Sequence, residues 1–113
     1  MPLPLNLFKT VTKIATTSSV GIYTAPTGYS GVVLLAQAAN IGNDTQTISF
    51  SHKRTTAGVA VTTEILKNFP VSSSDSANLV QGRLILETGD SITLSASTNT
   101  DIKVVVSILE TLN

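Results

Sequence analysis

"DIKVVVSILE", residues 101–110, decides the fold. Ile102, Val104, Val106 and Ile108 point one way, and Lys103, Val105, Ser107 and Leu109 point the other. This alternation has the period of a strand, whose successive side chains leave opposite faces of a sheet. Two other segments behave alike, and a third differs. "SITLSAS" (91–97) sets Ile92, Leu94 and Ala96 against serines and a threonine, and "TISFSHK" (47–53) sets Ile48, Phe50 and His52 against serines. "GVVLLAQAA" (31–39) is apolar on both faces, the signature of a central strand that is covered on both sides or meets a neighbouring subunit.

Further outward, strands are expected at 9–16, 20–25, 59–67 and 78–87, about eight in all. Turn signals separate them: "APTG", "NIGND", "TTAG", "NFPVSSSDS", "TGD" and "TNTD". No window carries convincing helical spacing. Ser and Thr make up 30 of the 113 residues, and β-branched and hydroxyl side chains suit a pleated sheet better than a helix. The fold class is all-β: an antiparallel β-sandwich, jelly-roll-like, in one domain.

Composition narrows the function. The chain is 42% hydrophobic and only 12% charged, so it has the apolar content to build a core. Seven basic residues balance seven acidic ones, leaving no positive field to gather phosphates, and nucleic acid is not an expected partner. Near-zero net charge gives little repulsion between copies. Cysteine is absent, which removes disulfides, thiolate metal sites and a Cys nucleophile. No stretch approaches the ~18 consecutive apolar residues of a membrane helix, and the start lacks signal-peptide character. Synthesis in the cytoplasm is expected, with no membrane partner.

The segment "MPLPLNLF" stands apart. Pro2 and Pro4 hold the backbone extended and remove two amide donors, while Leu3, Leu5 and Leu7 recur at every second position before Phe8. An extended apolar strip needs a surface. Either it is a first strand covering its own sandwich, or residues 1–8 form an arm on a neighbouring subunit, with 9–113 as the sandwich. On the second reading, Leu3, Leu5, Leu7 and Phe8 bind the partner.

Candidate sites are few. In "LILETGDSITLSAS" (84–97), Glu87, Gly89 and Asp90 form a hairpin corner. Gly89 takes the positive φ, Asp90 bonds nearby amides and Glu87 faces solvent. A lone pair of acids falls short of the six to eight oxygens that calcium usually takes, so no metal or other cofactor is expected. His52 is the only histidine, and no nucleophile-elbow pattern accompanies it. It leads into "KRTTAG", read as a loop, where Lys53 and Arg54 form the only basic doublet. His52, Lys53 and Arg54 are therefore candidates for an interface with a partner's carboxylate, against the plain alternative of a solvated loop. Pro70 is expected to end the strand before the polar connection "NFPVSSSDSANLVQG".

Several blocks together resemble a family. They are "VGIYTAPTGYSGVVLLAQAANI", "ILKNFPVSSSDSANLVQGRLILETGDSITLSAS" and "VVVSILE". In order they give Tyr23 to Pro26, Ala39–Asn40, Lys67 to Pro70, Leu79 to Asp90 and Ser107 to Glu110. This series resembles small β-sandwich virion structural proteins of tailed bacteriophages, of cyanophage and marine-phage type, from about residue 10 onward. "MPLPLNLF" lies outside the shared pattern. The resemblance implies a non-enzymatic virion subunit present in many copies. It would decorate the head or attach at neck, tail or baseplate, with copies of itself and a larger virion protein as partners. Two alternatives belong to other classes: a carbohydrate- or receptor-binding module, and a small jelly-roll metal enzyme, for which one histidine is a poor start.

Overall fold

The computed structural model describes residues 6–112, and these residues contain strands and turns but no helix. The strands are β1 (Asn6–Ile14), β2 (Val20–Thr24), β3 (Tyr29–Asn40), β4 (Gln46–Thr56), β5 (Val59–Val71), β6 (Ser76–Asn78), β7 (Leu84–Leu86), β8 (Ser91–Ala96) and β9 (Ile102–Leu112). Sheet I runs β1-β9-β3, with β6 and β7 pairing the far side of β3; sheet II runs β2-β8-β4-β5. Every pairing is antiparallel. The chain crosses between the sheets at nearly every connection, and β6 with β7 fills one strand position. That is the two-sheet, eight-position order of a jelly roll. The expected strand over 78–87 resolves into two short pieces, because residues 79–83 leave the ladder.

The alternation read from the sequence is what packs the two sheets. Ile102, Val104, Val106 and Ile108 of β9 face Ile48 and Phe50 of β4 and Ile92 and Leu94 of β8, all buried. Leu86, Val33, Ala36 and Ala38 complete the layer from sheet I. Fully burying such side chains contributes roughly 1.5–3 kcal/mol each before ordering entropy.

Three local departures matter later. First, β3 carries a bulge between Val33 and Leu35, which adds one residue and shifts the alternation, so Leu34 and Leu35 are both exposed. Second, the presumed loop after His52 is strand. β4 continues to Thr56, and the reversal is confined to Ala57 and Gly58, both at positive φ, as a two-residue type I′ hairpin requires. Third, Pro70 does not end β5, which runs on to Val71 opposite Gln46. An edge strand tolerates a residue without N–H. Asn68 just before it sits at φ 51 within a bulge, and its backbone N–H donates to Ser49 Oγ at 3.0 Å.

The two sheets share a common direction. At one end, which we call the groove end, Ala15 N–H donates to Ile102 O and Ala96 N–H donates to Thr16 O. At the other, Ala25 N–H donates to Asp90 O and Thr88 Oγ1 donates to Tyr29 O. Beyond this second end, the β4–β5 hairpin projects past its last partner in β8, since Lys53 is the final β4 residue paired there, with Ser91. The molecule is accordingly elongated, 49 × 29 × 22 Å.

Candidate assembly interface

Four of the six residues singled out as two separate features, His52, Arg54, Glu87 and Asp90, come together at the root of that hairpin. Arg54 on β4 reaches the β7–β8 turn, with Nε donating to Asp90 Oδ1 at 3.0 Å and Nη2 to Asp90 Oδ2 at 2.7 Å. The same Nη2 donates to Glu87 Oε2 at 2.6 Å. His52 Nε2 lies 3.1 Å from Asp90 Oδ2, and Glu87 N–H donates to that oxygen at 3.0 Å. Gly89 takes φ +88 in the turn, as its sequence context requires. Asp90 is 3% exposed, and the guanidinium beside it holds its carboxyl down at about 2; the His52 contact and the Glu87 amide act the same way, against a smaller upward push from burial. Arg54 is pushed above its ordinary value, first by its hydrogen bond to Asp90.

This cluster is saturated rather than poised. The Asp90 carboxylate accepts from three residues, which suits a clamp fixing β4 to the turn better than a base awaiting a proton. Arg54 thus binds carboxylates of its own chain. Its neighbour Lys53 is exposed on sheet II and forms none of the ion pairs among the described residues. No group of three or more metal-ligating side chains occurs among the described residues.

A second polar group crosses the sandwich near the same end. Tyr23 on β2 donates its hydroxyl to Glu110 Oε2 at 2.5 Å, and Lys9 Nζ stands 3.4 Å from that oxygen. Glu110 is 3% exposed. Burial, then the hydrogen bond to Glu110, raises the Tyr23 hydroxyl above its ordinary value. Gly31 pairs with Glu110 across β3 and β9 and makes room for the ring, since a Cβ there would lie 3.1 Å from Tyr23 Cε2. Asn40 plays a comparable part at the groove end. Its buried amide donates to Asp44 O and Val71 O and accepts from Gly42 N–H. Tyr23, Asn40, Asp90 and Glu110 all fall in the quoted blocks, and here each holds the sandwich together.

The exposed surface points elsewhere. Registers place Phe8 opposite Leu109, Leu109 opposite Val32, and Val32 opposite Ile85. This row crosses all four positions of sheet I on its outer face. Phe8 is 73% exposed and Ile85 61%. Beside the row, the bulge presents Leu34 and Leu35; toward the groove end Thr10, Ser107, Thr12 and Gln37 intervene before the exposed Ile14. Among the described residues, Lys103 is the single charge at outward strand positions of sheet I. Of the expected arm, Leu7 and Phe8 belong to β1, which starts at Asn6, and Leu7 is 40% exposed; Leu3 and Leu5 lie outside the described residues. The bulge that puts two leucines outward carries no signal in the sequence. The outward Val105 and Leu109 were legible, and only their meeting with Phe8, Val32 and Ile85 required the topology.

No family model matches the chain, and no curated protein matches it in sequence. Solved structures do match in shape. One is from the T13 viral particle of IBDV, with TM-score 0.61 at 8% identity, covering 97% of this chain and 32% of that one. The likeness is one of fold. Another comes from Bacillus endospore appendages, described as a family of disulfide-linked pili, with TM-score 0.51 at 17% identity, covering 96% of this chain and 88% of that one. The chain spans about a third of the length of the viral particle protein.

Proposed function

We propose that this chain is a virion structural protein of a tailed bacteriophage. It is an oligomerising, non-enzymatic β-sandwich subunit that decorates or reinforces the particle, on the head or at the neck, tail or baseplate. The observation that carries the reading is the outer face of sheet I, where Phe8, Leu109, Val32 and Ile85 line up with almost no charge around them. A sheet face meant for water carries polar side chains, as alternation normally provides. An exposed, contiguous apolar patch marks a surface that another protein covers. Zero formal net charge removes a barrier to packing copies together. Two assembled structures, a virus particle and a pilus, share the fold and are consistent with a building block. The pilus is described as disulfide-linked; this chain has no cysteine, so disulfides cannot link its copies.

The partners are copies of the chain and a larger virion protein such as a capsid, portal, neck or tail component. Mass spectrometry of purified particles tests the reading through copy number. A count on the order of hundreds fits head decoration or the repeating length of a tail, and a small ring number fits neck or baseplate. Absence from particles overturns the proposal. Saturable binding on a glycan array by the isolated protein favours a carbohydrate-recognising module instead.

A further inference from the structure

We infer that the upper half of β5 is a sheet rim that pairs with the same strand of a second copy, antiparallel about a twofold axis at Thr62. This rests on the assembly reading above and adds a second contact to it.

The rim is open and regular. β5 ends the order β2-β8-β4-β5, so its outer side has no strand partner. Residues 59–64 hold one register against β4, from Val59 opposite Thr56 to Glu64 opposite Ser51, and all six are exposed. The ladder shifts only past Glu64, and Asn68 and Pro70 break the rim further on. Lys53 is the last β4 residue paired with β8, so beyond it β4 and β5 stand as two strands alone. Such a pair is marginal in water, and two further strands would turn it into a four-stranded layer. The unpaired N–H and C=O groups of an edge are completed by another strand.

Which strand follows from the rims that a copy offers. β1 is long, but Lys9 and Lys13 lie opposite the buried Ile108 and Val104. Both therefore occupy inward positions, where charges guard an edge against pairing. β2 has five residues and a register shift between Gly21 and Tyr23. β6 and β7 have three residues each. Among the described residues, the upper half of β5 is the rim that is long, regular and free of inward charge. A second copy presents the same rim. Like surfaces pair about a twofold axis, and such a contact closes at two copies.

Register and charge agree on Thr62. An axis there sets Thr62 against Thr62, Val61 against Thr63 and Ala60 against Glu64, all within the regular run. Threonine pairs are favourable across strands, and no charge lies directly opposite its like. Lys53, exposed beside Thr62, shares its face of the sheet with Glu64. Across the axis the two Lys53 positions are roughly 14 Å apart, beyond the ~8–10 Å screening length. Each has the Glu64 of both copies nearer, at roughly 8 and 12 Å. The four charges alternate and cancel across the seam.

Size makes this contact weak by itself. About five residues a side pair, against the 20–30 of a standard interface. It adds to the apolar row, linking copies that a particle already holds at high local concentration.

The test uses the full chain, with far-UV circular dichroism and thermal melts confirming that each variant folds. The chain has no cysteine, so Thr62→Cys places a single thiol on the axis. Directly opposed Cα atoms in an antiparallel pair lie ~4.5–5.5 Å apart, within disulfide reach. Under mild oxidation Thr62→Cys is expected to give a covalent dimer at least about tenfold faster than Thr93→Cys on the outer face of sheet II. In sedimentation across a concentration series, Thr62→Asp and Thr62→Lys are each expected to need at least about tenfold higher concentration to associate, because like charges then meet on the axis. An equimolar mixture of the two sets opposite charges together and is expected to restore association. If Thr62→Cys cross-links no faster than Thr93→Cys, or the mixture associates no better than either variant alone, the rim pairing is wrong; association of the unmodified chain then still supports the apolar row. If the unmodified chain is monomeric throughout and neither cysteine variant cross-links, both inferences fall.

Discussion

The outer faces of the two sheets differ although their strands are equally regular. On sheet II the outward positions of β4 and β8 read Ser49, Ser51 and Lys53 beside Ser95, Thr93 and Ser91. On sheet I many are polar too, Thr10, Thr12, Ser107 and Gln37 among them, but one row, Phe8, Leu109, Val32 and Ile85, is apolar from edge to edge and is flanked by Leu34 and Leu35. Both faces satisfy β-propensity, because hydroxyl β-branched and apolar residues fit a pleat alike. Folding therefore does not require the apolar choice on sheet I. Under the assembly proposal, sheet II stays in contact with water and the apolar row on sheet I is covered.

The sharpest way to break that contrast is to charge the apolar face. Phe8→Asp together with Ile85→Asp is expected to weaken association about 100-fold or more, close to 2.7 kcal/mol, with the melting temperature little changed. Sedimentation and a thermal melt read the two quantities separately. The next effect in size lies under the faces. Tyr23→Phe leaves the buried Glu110 carboxylate without its 2.5 Å hydroxyl donor, and a loss of roughly 1–3 kcal/mol is expected in denaturant titration. Because the group joins the two sheets from inside, association of the folded fraction should not change.

Acid should bring a comparable loss. The Asp90 carboxyl is held at about 2, below its ordinary 3.8, so the ionised form is favoured in the folded state. Its contribution is complete above the ordinary value and disappears as the pH falls through the lowered one. Between about pH 4 and pH 2, on the order of 2 kcal/mol should be lost, and Asp90→Asn should flatten that part of the profile. Unfolding midpoints across this range check it. The smallest effect belongs to the wet face. Thr93→Asp should leave association unchanged and stability within about 0.5 kcal/mol. A large loss of association there would make the two faces equivalent and remove the basis of the contrast.

Much of the fold could be read along the chain, and less of the interface. Period-two alternation located β4, β8 and β9 because one face of each enters the core, and Ile102 to Ile108 is the plainest case. Three features resisted for physical reasons. The bulge at Leu34 shifts the alternation by one without a marker residue. Pro70 reads as a strand end, yet at a sheet edge its missing N–H does little harm. The hairpin corner at Glu87–Asp90 was recognisable, but its partner Arg54 lies 36 residues from Asp90, and only the pairing of β4 with β8 brings them together. The same holds for Phe8 and Ile85, which become neighbours in one row only after four strands have been ordered.

The free rim of sheet II has a consequence for how copies can go wrong. A chain this poor in charge and this rich in strands is prone to templated cross-β stacking through any exposed ladder. Along the lower half of β5, Asn68 kinks the backbone and Pro70 offers no amide proton. Another strand cannot zip onto that rim in register. Amyloid-like growth is disfavoured along that stretch of β5, and the safeguard lies in the backbone rather than in charge.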